Sequence, residues 1–120
     1  MGDEPRVLSD SEVRQHLADQ LPDWDLAGGA IHRELRTDGW ASALMLLNAI
    51  AWLSETAWHH PDLQLGWGRV GVSLRTHDAG GISERDLALA AEIDRLALWR
   101  PGAGSPLPGA PRRPGGPAAS

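Results

Sequence analysis

The chain has no cysteine, lysine, phenylalanine or tyrosine among its 120 residues. The missing cysteine excludes disulfides, thiolate nucleophiles and thiolate metal sites. The missing lysine leaves arginine as the only permanent cation, which we read as the codon bias of a GC-rich bacterial genome. With no Phe or Tyr, the 6 tryptophans carry every aromatic contact. The N-terminal "MGDEPRVLSDSEVRQ" holds no apolar signal core, and a cytoplasmic location is expected. No glycine-rich phosphate loop and no G-x-S-x-G elbow occurs. The longest apolar stretch, "WASALMLLNAIAWLSETAW", is interrupted by Ser42, Asn48, Ser54 and Glu55, so no membrane span is expected.

What is present fits one domain with a modest core, which association would help to stabilise. The net charge of −5 is uneven: all 16 acids precede residue 100, whereas Arg100, Arg112 and Arg113 stand in an acid-free tail. An acidic folded part argues against nucleic-acid binding. Residues 1–6 are expected to be a flexible N-terminus, 7–98 the domain, and 99–120 a disordered tail rich in Pro, Gly, Ala and Ser.

Within the domain, Ser9 and Glu12 form a capping-box pattern, opening a helix to about Gln20 that "LPDW" breaks. "WDLAGG" and "AIHRELRT" spell a hairpin around Gly28-Gly29, with Ile31, Arg33 and Leu35 on one face. Asp38 can cap the next helix, from about Gly39 to Trp58, which is apolar nearly all round; one side is expected on the sheet and the other on a second subunit. Pro61 is expected to stop it. "DLQLGW" is a short extended piece, and Arg69 to Arg75 alternates as a strand with Val70, Val72 and Leu74 on one face. The turn "THDAGG" leads to a closing helix with Leu87, Ala90, Ala91, Ile93, Asp94 and Leu96 to place. The order α-β-β-α-β-β-α predicts an α+β fold, a small antiparallel sheet of about four strands with helices on one face.

Chemistry concentrates in "ETAWHHPDLQLGW", residues 55–67, which holds two of the chain's 5 histidines. Glu55 lies four positions before His59, on one helical face, where a carboxylate orients an imidazole for acid–base work. His77 follows the long strand, flanked by Thr76 and Asp78, in a loop of the kind that carries function. Each residue also has a plainer reading. His60 can cap helix carbonyls, His77 can be a turn residue, Trp67 can be core, and Asp86 can close a capping box with Ser83. Adjacent imidazoles diverge and H-E-x-x-H spacing is missing, so a metal site is not expected.

As a constellation these residues resemble the pterin-4a-carbinolamine dehydratases. The family's pattern is an acid, His-His-Pro, an aromatic, a third His and an Asp. Here Glu55, His59, His60, Pro61, Trp67, His77 and Asp86 take those places at matching spacing. "THDAGGISERDLALAAEID" resembles the family's C-terminal stretch, and "LSDSEV", "LPDW" and "IHREL" match its first half more loosely. The resemblance covers roughly residues 7–98. Leu35, Thr37 and Leu47 stand where aromatics are frequent, and Trp40 is expected to take over part of that packing.

The resemblance implies dehydration of a 4a-hydroxytetrahydropterin to the quinonoid dihydropterin, recycling the cofactor of aromatic amino-acid hydroxylases. It implies no metal and no organic cofactor, and a homodimer or homotetramer. It assigns His59, His60 and His77 to catalysis, with His59 as the principal acid–base group tuned by Glu55. Glu55, Pro61, Trp67, Thr76, Asp78, Ala79 and Asp86 are implied around the pterin, with Asp86 holding a histidine or capping its helix. Trp24 is a lid or a packing residue. The alternative is a pterin-binding or protein-scaffolding module without turnover.

Overall fold

Ser9 does what its sequence context predicts: its side chain accepts from Glu12 N–H, and the Glu12 carboxylate accepts from Ser9 N–H. In the computed structural model, which describes residues 5–111, this reciprocal cap opens α1, Asp10–Gln20. Val13 and Leu17 turn inward from it. Strands β1 (Asp25–Ala27) and β2 (Ala30–Arg36) follow. Gly28 and Gly29 both adopt positive φ, 59° and 77°, which a two-residue hairpin turn of the primed kind requires.

Helix α2 spans Trp40–Ala57, β3 Asp62–Gly66, β4 Arg69–Leu74 and α3 Glu84–Leu98. The four strands form one antiparallel sheet ordered β1-β2-β4-β3. This is the expected α+β architecture. Alternation sends Ile31, Leu35, Val70, Val72 and Leu74 into the core, where they meet Ile50 of α2 and Leu87, Leu89, Ala90 and Ile93 of α3. Leu89 was missing from the residues expected inside α3, and Leu96 lies 40% exposed at its far end.

Arg33 shares the core face of β2. Its guanidinium donates to Asp94 of α3 at 2.6 Å and lies 3.5 Å from Asp23. Trp24 is buried and its indole N–H donates to the same Asp94 oxygen at 2.9 Å. Trp24 is therefore a packing residue and not a lid. A tryptophan carries a large apolar body with one donor, and here both are satisfied.

Three local expectations are corrected. Asp38 is not the N-cap of α2: Gly39 holds that place without a side-chain cap, and Asp38 accepts from Ser42 Oγ at 2.9 Å. Trp40 is half exposed and does not replace core aromatics; the smaller Leu35 and Leu47 pack there instead. Pro61 does not stop α2. The helix ends at Ala57 and Trp58 turns left-handed, with Trp58 N–H on Glu55 O and His59 N–H on Ser54 O. That pair of bonds is a Schellman motif.

Residues 99–111 contain no helix or strand. The expectations for residues 1–4 and 112–120, Arg112 and Arg113 among them, lie outside the described residues.

Hydrogen bonds from Arg6 and from the Ser9 backbone hold the Glu12 carboxyl down to about 2, against an ordinary 4.5. A depressed carboxyl stabilises the fold above its unfolded value and loses that contribution as pH falls through its folded value. Glu12→Gln is therefore expected to melt slightly below the wild type at pH 7. The gap should close between about pH 4.5 and 2, followed by circular dichroism melts. Both side chains of the Arg6–Glu12 pair are exposed, so salt should shrink the gap.

Candidate active site at the end of the long helix

The sheet's antiparallel order decides which residues meet. Chain leaving α2 passes His59 and His60 and enters β3. β4 then returns beside β3 and delivers Thr76 and His77 back to the helix's C-terminal end. The Schellman turn at Trp58 lets His59 fold under the helix end while His60 points outward. The side chain of His59 is 14% exposed and that of His60 49%.

The carboxylate of Asp86 is the hub. It is fully buried on the first turn of α3. Its Oδ1 lies 2.6 Å from His59 Nε2. Its Oδ2 accepts from Thr76 Oγ1 at 2.7 Å and from Ser83 N–H at 2.9 Å. Thr76 has one hydroxyl proton and gives it to Asp86, so in the 2.6 Å contact between Thr76 and Ser83 the serine donates. Ser83 Oγ in turn accepts from Arg85 N–H. Every proton around the carboxylate has a destination. The two readings of Asp86 are both correct: it closes the capping box of α3 and it holds a histidine.

Glu55 does not partner His59. The helix ends before the imidazole can stack over the preceding turn, and Glu55 Oε1 instead lies 2.8 Å from His60 Nε2. The site thus holds two carboxylate–imidazole pairs, one buried and one exposed. In the first, Asp86 occupies Nε2 and leaves Nδ1 as the nitrogen available to a ligand.

His77 is exposed in the turn, and its side chain makes no hydrogen bond among the described residues. Thr76 O accepts from Ala79 and Gly80 N–H, which fixes the loop carrying His77, Asp78 and Ala79. Pro61 is half-buried after the histidines. Trp67 is not brought to this cluster. It sits 73% exposed at the β3–β4 tip, its ring beside Gly39 at the start of α2. An 18-residue helix, about 27 Å long, separates it from the imidazoles.

A cleft of about 520 Å³ opens between the C-terminal end of α2 and the first half of α3, with His59, Trp58, Leu53, Leu89 and Arg85 among its walls; His60 and His77 do not line it. Sequence reasoning passed over Trp58 and Arg85. No local signal marks Trp58: a helix can end without a left-handed residue, as α1 does at Leu21 and α3 at Trp99. Among the described residues, no group of three or more His, Cys, Asp and Glu converges to hold a metal ion.

The family model for pterin 4 alpha carbinolamine dehydratase matches residues 6–96. The chain belongs to that family. An Aquifex aeolicus relative, provisionally named pterin-4-alpha-carbinolamine dehydratase, is 45% identical over 91 residues, covering 76% of this chain and 91% of its own. One from Paracoccus denitrificans, named in the same provisional way, is 47% identical over 90 residues, covering 73% and 83%. Among solved structures, a Brucella melitensis protein described as a transcriptional coactivator/pterin dehydratase superposes with a TM-score of 0.70 at 26% identity, over 77% of this chain and 99% of that one. A pterin dehydratase-like protein described as a RuBisCO assembly factor in the alpha-carboxysome gives 0.52 at 25% identity, over 62% and 86%.

Removing the hub should be felt in stability first. Asp86→Ala strips partners from a buried hydroxyl, a backbone N–H and an imidazole at once, and is expected to cost about 3 kcal/mol in urea unfolding. Thr76→Ala removes the donor to Asp86 and the acceptor of Ser83, two buried hydrogen bonds, and should cost about 2 kcal/mol.

Proposed function

We propose that this protein is a hydro-lyase that dehydrates a 4a-hydroxytetrahydropterin to the quinonoid dihydropterin, recycling the pterin used by aromatic amino-acid hydroxylases. The observation that carries this reading is the buried His59–Asp86 pair beside a ligand-sized cleft, in a chain of the pterin dehydratase family.

The reaction breaks the C4a–O bond. The departing hydroxyl takes a proton and leaves as water, while N5 gives up its proton and its N–H electron pair closes the C4a=N5 double bond. The step is redox-neutral and needs no cofactor. It needs one group to give a proton and one to take it near neutral pH, which suits imidazoles.

In this proposal His59 is the principal acid–base residue. Asp86, and not Glu55, is its orienting carboxylate, and Nδ1 faces the substrate. His77, unencumbered in its loop, is the partner across the ring. His60, held by Glu55, binds and orients the pterin. Pro61 and the backbone of Thr76, His77, Asp78 and Ala79 form walls. Trp67 could touch a pterin only from another subunit.

Association is part of the proposal. Leu44, Met45 and Trp52 stand 39%, 70% and 74% exposed on the outer side of α2, the face expected on a second subunit. A homodimer or homotetramer would cover them, and we place the protein in the cytoplasm. Among the described residues no helix is long and apolar enough to cross a membrane.

A second reading, a pterin-binding or protein-scaffolding role without turnover, draws support from the structural neighbour described as an assembly factor.

Stopped-flow dehydration of synthetic 4a-hydroxytetrahydropterin separates the two. The wild type should accelerate the reaction over buffer, with or without chelator. His59→Ala and His77→Ala should each lower kcat by about 10²–10⁴-fold. A folded wild type that gives no acceleration would remove the enzyme reading and leave the second.

A further inference from the structure

Trp58 is the one residue other than glycine with positive φ among the described residues, at φ 54° and ψ 46°. The Schellman motif needs that conformation, but a glycine or asparagine would supply it more easily. For a bulky L-residue it is disfavoured by roughly tenfold. The fold does not recover this through burial, since the indole is 76% exposed. Its ring contact is edge-on to the exposed His60, centroids 4.9 Å apart at 84°. Strain kept without a packing return marks a residue held for what it binds.

The indole also forms a wall of the 520 Å³ cleft that reaches His59, with Leu53, Ala57 and Leu89 as apolar neighbours. An exposed aromatic beside a mostly apolar cleft is a stacking platform for a flat heteroaromatic ring. We propose that Trp58 is a substrate-binding residue whose indole packs against the pterin ring and sets its position beside the His59 imidazole. This inference rests on the dehydratase reading and names the contact that selects the substrate's planar bicycle.

The test compares Trp58→Asn, Trp58→Gly and Trp58→Phe with the wild type. Three quantities are read: melting temperature, the Kd of the stable analogue 7,8-dihydrobiopterin by calorimetry, and KM and kcat in the stopped-flow assay. Asn and Gly relieve the strain, so their melting temperatures should rise by about 4 °C. Their Kd and KM should rise by about tenfold with kcat little changed. Trp58→Phe keeps both ring and strain and should stay near the wild type in all three. Unchanged Kd and KM in Trp58→Asn and Trp58→Gly, in a wild type that turns over, would overturn this inference alone. A wild type that binds the analogue without turnover, with binding lost in those two variants, would support the stacking role while removing the dehydratase reading. A wild type that neither turns over nor binds would overturn both.

Discussion

Everything at the histidine end of this molecule depends on the hydrogen bonds of one buried carboxylate. Asp86 joins three elements that are distant in sequence: the segment after α2 through His59, the exit of β4 through Thr76, and the start of α3 through Ser83. A carboxylate with no access to water carries a desolvation penalty of several kcal/mol unless its lone pairs are filled. Thr76, Ser83 and His59 fill them. The same requirement that stabilises the fold therefore fixes an imidazole in place, and site and structure cannot be separated at this position.

The sheet provides the rest. Because β3 and β4 form a tight hairpin antiparallel to one another, the chain travels away from the helix end and comes back to it. His59 and Thr76 are brought together by that return, while Trp67, at the hairpin tip, is carried to the opposite end of α2. Gly68, with φ 71° and Thr37 O only 3.3 Å from where a Cβ would stand, makes the tip possible. A linear motif that places seven residues within 32 positions thus maps onto two ends of one subunit.

Much of the fold was legible in the chain because it depends on local signals. Ser9 with Glu12, Gly28 with Gly29, and the alternation of Val70, Val72 and Leu74 each act through near neighbours. The candidate site was legible as a set of residue types. It was not legible as a set of partners. Glu55 and His59 share a helical face only if the helix continues, and it ends two residues too early. The end itself was assigned to Pro61, whose restriction acts on its immediate neighbour, whereas the helix had already closed through two backbone bonds at Trp58 and His59. Asp86 looked like an ordinary cap because the spacing from Ser83 contains that information. Its bond to His59, 27 residues away, depends on tertiary packing that no local pattern carries.

The measurement closest to the centre of this account is the tautomer of His59. Nitrogen-15 correlation spectra of the imidazoles, in wild type and Asp86→Asn, report which nitrogen carries the proton in the neutral ring. The neutral His59 ring of the wild type is expected to carry its proton on Nε2, directed at Asp86, and to leave Nδ1 bare. In Asp86→Asn that preference should weaken. A wild-type His59 protonated on Nδ1, or one whose tautomer is indifferent to Asp86→Asn, would contradict the claim that this carboxylate prepares the histidine.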